Sequence, residues 1–276
     1  MDCIASCRLI DFGIYVQTDM EEVEMNTMDN DKYGVKERQE KLLEMLKELD
    51  VFFSQNGIKY SLCAGTLLGA VRHNGFIPWD DDIDIMVDRE NYTRIINLFK
   101  ENNDTKFSLN RILWIYRIQG KDDKTNGLKT ETIDIFVFDN VPDNALLRKF
   151  KLFAMKTMQG MLKTDIDYSS VSVFYKICLW GTHILGKLFT YNFKFRMYDK
   201  LARLGNGKES RYLGSYFSPF KNLKLLYSKT LMDDIVMHEF EDTVMPIVAE
   251  YDSYLVAQYG DYMTPPKESD RVSEHM

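Results

Sequence analysis

From Lys36 to Gln55 the apolar residues Leu42, Leu43, Leu46, Leu49, Phe52 and Phe53 recur at helical spacing, and Asn56-Gly57 follows as a stop. Residues 60–73 then give a short apolar segment, a Gly65-Thr66 turn and a small-residue stretch compatible with a helix. Next comes a different rhythm. Asp82, Asp84 and Met86 alternate with Ile83, Ile85 and Val87, which predicts a strand. Asn91 to Lys100 predicts a helix that packs inward through Ile95, Ile96 and Phe99. Residues 107–120 alternate apolar and polar positions and predict one strand, Lys121 to Lys129 a polar turn, and Thr132 to Asp139 another β-rich run. Residues 1–20 suit a short strand pair, 21–34 a loose acidic linker, and Lys267–Met276 a frayed tail. The pattern contains no internal repeat.

Two of these runs carry charge where a core is expected. In a strand, residues two apart share a face, so Asp82 and Asp84 project together. Carboxylates held side by side repel each other unless a cation lies between them. A hard divalent cation such as Mg2+ or Mn2+ suits such oxygen donors. Asp134, between Ile133 and Ile135, is a third carboxylate in a strand, and buried carboxylates are rare unless paired or metal-bound. Gly65-Thr66 opens a helix, where backbone N–H groups and the dipole favour phosphate. Arg72 and His73 add donors in the same local unit, and Arg117 and Lys124 are further candidates to meet phosphates. A calcium loop starting at Asp80 is excluded, because its sixth and twelfth positions hold Ile85 and Asn91 instead of Gly and Glu. A glycosidase pair needs carboxylates on opposite sides of a sugar, which neighbours on one strand face do not supply.

Gly-Thr, then Asp-x-Asp, then a single Asp on a later strand resembles the nucleotidyltransferase superfamily. The nearly continuous string from Gly65 to Asp84, through Arg72, His73, Pro78, Trp79 and Asp80, is similar to the LicD family of phosphocholine transferases, which includes fukutin and fukutin-related protein. A second block agrees: Glu239-Phe240-Glu241, Pro246-Ile247, Tyr251-Asp252, Tyr254-Leu255, Tyr259-Gly260-Asp261-Tyr262-Met263, Pro265-Pro266 and Arg271. Val137 and Val248 stand where that family often has Pro.

The resemblance implies an α/β (α+β) fold: a nucleotidyltransferase-like mixed sheet flanked by helices. It implies transfer of a phospho-alcohol, phosphocholine foremost, from a CDP-activated donor (CDP-choline favoured) to a cell-surface glycan hydroxyl, with release of CMP. Asp82, Asp84 and Asp134 would hold the metal. Asp80 would be a partner of those ligands or a general base. Gly65, Thr66, Arg72, His73 and Arg117 would meet donor phosphates. The alternatives are nucleotidyl transfer from CTP or ATP, and a nucleotide-binding scaffold without turnover.

Charge and composition add two limits. The 276 residues carry a net charge of −7, which argues against a nucleic-acid partner. Cys3, Cys7, Cys63 and Cys178 form no CxxC pair and read as reduced thiols. With no secretory signal in view, the expected location is the cytoplasm, at the inner face of the membrane. Residues 146–203 differ from the rest: eleven basic side chains against three acidic ones, interleaved with aromatic residues. Such a segment suits peripheral contact with an anionic membrane, close to a lipid-linked or polymeric acceptor. The expected organisation is an N-terminal extension (1–35), a catalytic core (36–145), this basic helical insertion (146–205) and a C-terminal segment completing the core (206–276).

Overall fold

The computed structural model describes residues 31–101, 105–121, 131–163, 173–207 and 209–271. Helix α1 (Lys36–Gln55) has the bounds the periodicity predicts and buries Leu42, Leu46, Leu49 and Phe53. Asn56 caps it and Gly57 takes φ 63°, the left-handed turn that glycine adopts without strain. Then follow β1 (Ser61–Leu62), α2 (Ala64–His73), β2 (Ile83–Asp88) and α3 (Arg89–Glu101). Strands β3 (Phe107–Ile112), β4 (Ile115–Gly120) and β5 (Thr132–Val141) complete the first half.

The fold is a mixed α/β structure, as the sequence predicts. The main sheet has the order β1-β2-β5-β4-β3. Strands β2 and β5 run parallel, and their neighbours pair antiparallel. Central position explains one departure from the expected alternation. Met86 and Asp84 are buried along with Ile83, Ile85 and Val87, because both faces of β2 are covered. The expected single strand over 107–120 is instead a hairpin. Ile112 pairs with Ile115, and the chain reverses at Leu113-Trp114 with Leu113 at φ 53°. A turn without Gly, Pro, Asn or Asp leaves the alternation nearly unbroken, and buried Trp114 anchors it. The expected strand pair, most of the 21–34 linker, most of the 121–129 turn, Lys124 and the last five residues lie outside the described residues.

After β5 come helices α4 (Ala145–Leu162), α5 (Val173–Lys187) and α6 (Tyr191–Ala202). Asn144 caps α4 by accepting from the N–H groups of Leu146 and Leu147, 3.0 Å each. Buried Lys151 of α4 donates to the carbonyls of Asn140 (3.1 Å), Ala202 (2.7 Å) and Leu204 (2.8 Å), tying α4 to β5 and to the end of α6. The chain then returns to the main sheet. Strand β6 (Tyr212–Ser215) pairs with the far half of β5, and β7 (Tyr227–Ser228) pairs with β6. A separate hairpin, β8 (Ile235–Phe240) and β9 (Thr243–Val248), closes on β1, where Val248 N–H donates to Ser61 Oγ at 2.9 Å. Helix α7 (Tyr251–Tyr259) packs Tyr254 and Leu255 into the core.

Candidate active site

The parallel register of β2 and β5 sets Asp84 directly opposite Asp134, and the antiparallel register of β4 sets Arg117 on the other side of Asp134. Three charged residues thus lie in one row across three strands. Arg117 engages Asp134 with both arms of its fork, Nε to Oδ1 at 2.6 Å and Nη2 to Oδ2 at 3.0 Å. Among the described residues, no cation forms an ion pair with Asp84 in the same way. Burial pushes its carboxyl well above the usual carboxylate range, and the charges of Asp82, Asp134 and Asp80 add to that; Arg117 opposes it.

The chain before β2 is held from two sides. Gln39 of α1 donates to the carbonyls of Ile77 (3.1 Å) and Asp80 (2.7 Å), and Asp80 N–H closes a turn onto Ile77 (2.9 Å). On the other side lies the N-terminus of α2. A Cβ on Gly65 would stand 2.7 Å from Asp80 Oδ2, so only glycine lets this carboxylate lie against the helix start. Ala64, at φ 46°, directs its N–H to the Tyr254 hydroxyl (3.1 Å). Thr66 is buried, and its hydroxyl accepts from Asp84 N–H at 2.8 Å. Asp80 is raised like Asp84, by desolvation first and then by Asp82 and Asp81. The buried Cys63 thiol is raised too, by burial and then by Asp84, Asp134 and Asp82, which leaves it unsuited to act as a nucleophile.

A cavity of about 530 Å³ opens on this cluster. Gly65, Asp80, Asp82, Asp84 and Phe136 line one part of it, and Lys221, Asn222, Lys224, Gln258 and Tyr259 line the rest. The lining thus holds three carboxylates and two ammonium groups. The structure therefore brings Gly65, Asp80, Asp82 and Asp84 to one cavity. It sets Asp134 behind Asp84, in the ion pair with Arg117, and neither of these lines the cavity. Thr66 lies within the fold, with its oxygen turned to β2. Arg72 and His73 are not brought to the cavity. They stand about 10 Å further along α2 than Gly65, where Arg72 donates to Tyr262 O (2.9 Å) and to His73 Nε2 (3.0 Å). Trp79 also looks elsewhere, lining a cleft of about 660 Å³ with Tyr33, Glu241 and Arg271. Its ring meets the Arg271 guanidinium at 5.1 Å.

Lys221 and Lys224 were not singled out by the sequence. They are isolated lysines in the β6–β7 connection, and only the return of the chain to β5 carries them to Asp82 and Asp84. Tyr259 does fall in the C-terminal block that carries the family resemblance.

Among the described residues, no three His, Cys, Asp or Glu side chains converge as a ready metal cage. The donor set still suits a hard cation. Mg2+ prefers one or two carboxylates and completes its shell with waters and substrate phosphates, so adjacent Asp82 and Asp84 at an open cavity fit it better than a closed protein cage would.

The sequence is also similar to known proteins. Residues 57–170 match the family described as LicD/FKTN/FKRP, nucleotidyltransferase domain. The chain is 26% identical over 264 residues to the lipopolysaccharide cholinephosphotransferase LicD of Haemophilus influenzae, covering 89% of this chain and 97% of that protein. Shorter matches join it to two uncharacterized Rickettsia proteins. One, from Rickettsia typhi, is 39% identical over 74 residues (25% of this chain, 24% of that protein). The other, from Rickettsia prowazekii, is 49% identical over 49 residues (18% of each).

Proposed function

With residues 57–170 carrying a domain of the LicD/FKTN/FKRP nucleotidyltransferase family, we propose that this chain transfers phosphocholine from CDP-choline to a hydroxyl of a cell-surface glycan and releases CMP. The observation that carries the proposal is a single cavity lined both by Asp80, Asp82 and Asp84 and by Lys221 and Lys224. A donor that joins a pyrophosphate to a quaternary ammonium meets groups of both signs there. The similarity to a lipopolysaccharide cholinephosphotransferase over nearly the whole of both chains supports choline as the alcohol and a glycan as the acceptor.

In the reaction the acceptor oxygen forms a bond to the phosphorus that bears choline. The bond from that phosphorus to the bridging oxygen breaks, and the oxygen leaves with CMP. Asp82 and Asp84 would hold Mg2+ or Mn2+; when bound, the cation neutralises phosphate charge that the carboxylates alone would repel. Lys221 and Lys224 attract the pyrophosphate as point charges. Asp80 takes the proton of the attacking hydroxyl. It is the carboxyl at the Gly65 turn, and it lines the cavity with Asp82 and Asp84. Asp134, fixed by Arg117, acts as a positioning residue that keeps negative charge beside Asp84. Phe136 and Tyr259 offer the aromatic surface that a quaternary ammonium prefers. The cytoplasm, where CDP-activated alcohols are made, is the compartment that fits this donor.

The test is product identity. The chain is incubated with Mg2+, lipopolysaccharide as acceptor, and in parallel CDP-choline, CDP-ribitol, CDP-glycerol, CTP or ATP. CMP formed from CDP-choline only when glycan is present supports the proposal. Pyrophosphate released from CTP or ATP replaces it with nucleotidyl transfer, and binding without turnover of any donor replaces it with a nucleotide-binding scaffold.

A further inference from the structure

Helix α5 is assembled inside out. It packs toward the C-terminal turns of α4 through Thr182, His183 and Gly186: His183 Nδ1 lies 3.1 Å from Lys163 O, and a Cβ on Gly186 would meet Met161 O at 2.5 Å. Its outward face holds Ile177 (63% exposed), Trp180 (61%), Ile184 (43%) and Leu188 (75%), the last just past the helix end. These lie on one stripe of the helix. Just beyond, Phe189 and Phe193 stack at 5.1 Å, and both are exposed. Soluble proteins seldom leave so large an apolar patch to water.

Three occupants can cover such a face. Spanning a bilayer is excluded for α5, since its 15 residues reach only about 22 Å against a hydrocarbon core of roughly 30 Å. Among the described residues no helix is long and apolar enough to cross a membrane. A second copy on a two-fold axis would set this segment, with eleven basic and three acidic side chains over 146–203, against its own like charge. An anionic lipid surface complements it. Lys176 and Lys187 stand near the two ends of the apolar stripe, where their stems can run along the lipid and their ammonium groups reach headgroup phosphates. Tryptophan is also the side chain that favours the membrane interface.

We propose that α5 is an interfacial membrane helix that lies in the plane of an anionic bilayer, with Ile177, Trp180, Ile184 and Leu188 in the lipid. The inference deepens the function proposed above, since it keeps the active site beside an acceptor that is itself lipid-borne, but the binding requires no catalysis.

The test is co-sedimentation of the full chain with phosphatidylglycerol-containing vesicles and with pure phosphatidylcholine vesicles, read together with tryptophan emission. The expected result is binding to the anionic vesicles with a blue shift that Trp180→Phe removes. The double variant Trp180→Glu with Ile184→Glu should lose at least about tenfold in affinity, and Lys187→Glu about fivefold at low salt. Circular dichroism should show both variants folded, as expected for exposed positions. Asp84→Asn should bind vesicles like the wild type, which separates this test from the catalytic one. Absence of binding by the wild type overturns the proposal, as does equal affinity for neutral vesicles. So does a wild-type dimer that Trp180→Glu dissociates in light scattering, because that result would assign the face to a second copy.

Discussion

The two ends of the β2–β5 pair bury charge in opposite ways. At the far end, Arg89 donates from Nε to Asp139 Oδ1 and from Nη1 to Asp199 Oδ1, 2.7 Å each, and its second arm also engages Asp139. Arg203 adds to Asp199 at 2.9 Å, Asn206 donates to Asp139, and the Arg89 guanidinium covers the Tyr92 ring at 4.9 Å. Here two carboxylates meet two guanidiniums, and the network ties α3, β5 and α6 together. At the near end Asp80, Asp82 and Asp84 crowd one cavity wall, while the guanidinium of Arg117 is committed to Asp134. A fold that matches charge so completely at one end has the means to do so at the other. Excess negative charge at the near end therefore costs stability, and in the proposed reaction a cation and an anionic substrate would complete the balance there.

Breaking each end should give opposite results. The largest effect is expected from Asp84→Asn, which should lower turnover by about a thousandfold or more. Without divalent cation the same variant should melt at a higher temperature than the wild type, since one of several mutually repelling carboxyls becomes neutral. Parallel kinetics and thermal melts would check both halves. At the far end, Arg89→Met should leave Asp139 and Asp199 short of positive charge and destabilise the fold by about 3–5 kcal/mol, measured by urea unfolding. Next in size, removing both Lys221 and Lys224 as alanines should cost about ten- to a hundredfold in kcat/KM, with little change in the melting temperature. A double variant that binds and turns over the donor normally would show that these lysines do not meet the donor.

The smallest effect is a pH dependence at the near end. Asp84 and Asp80 hold their protons more tightly folded than unfolded, so the folded state binds more protons above the ordinary carboxyl value of 3.8. Their contribution to stability is complete below that value and is lost as pH rises through the folded values. Cation-free melts from pH 4 to pH 7 should show this loss; Asp84→Asn should reduce it, and Mg2+ should offset it.

Much of the near end was legible because local sequence builds it. The i, i+2 spacing of Asp82 and Asp84, the Gly65-Thr66 turn and the β-rich run around Asp134 are short-range patterns that register alone brings together. What was hidden depends on chain returns and on element length. Lys221 and Lys224 reach the cavity only because β6 pairs with β5 about 70 residues downstream. Arg72 and His73 looked close to Gly65 in sequence, yet α2 sets them at its opposite end. The hairpin of β3 and β4 was missed because Leu113 makes a left-handed turn with no turn-forming residue. Arg117 was read as a phosphate contact, and the cross-strand register that makes it the partner of Asp134 is not visible in a single strand.

The most direct test of the central claim is a thermal-shift titration of CDP-choline with and without Mg2+, on the wild type and on Asp84→Asn. Stabilisation of the wild type should need both donor and cation, reach roughly 2.7 kcal/mol at a hundred times the dissociation constant, and disappear in the variant. Equal stabilisation of Asp84→Asn, or none in the wild type, would contradict the claim.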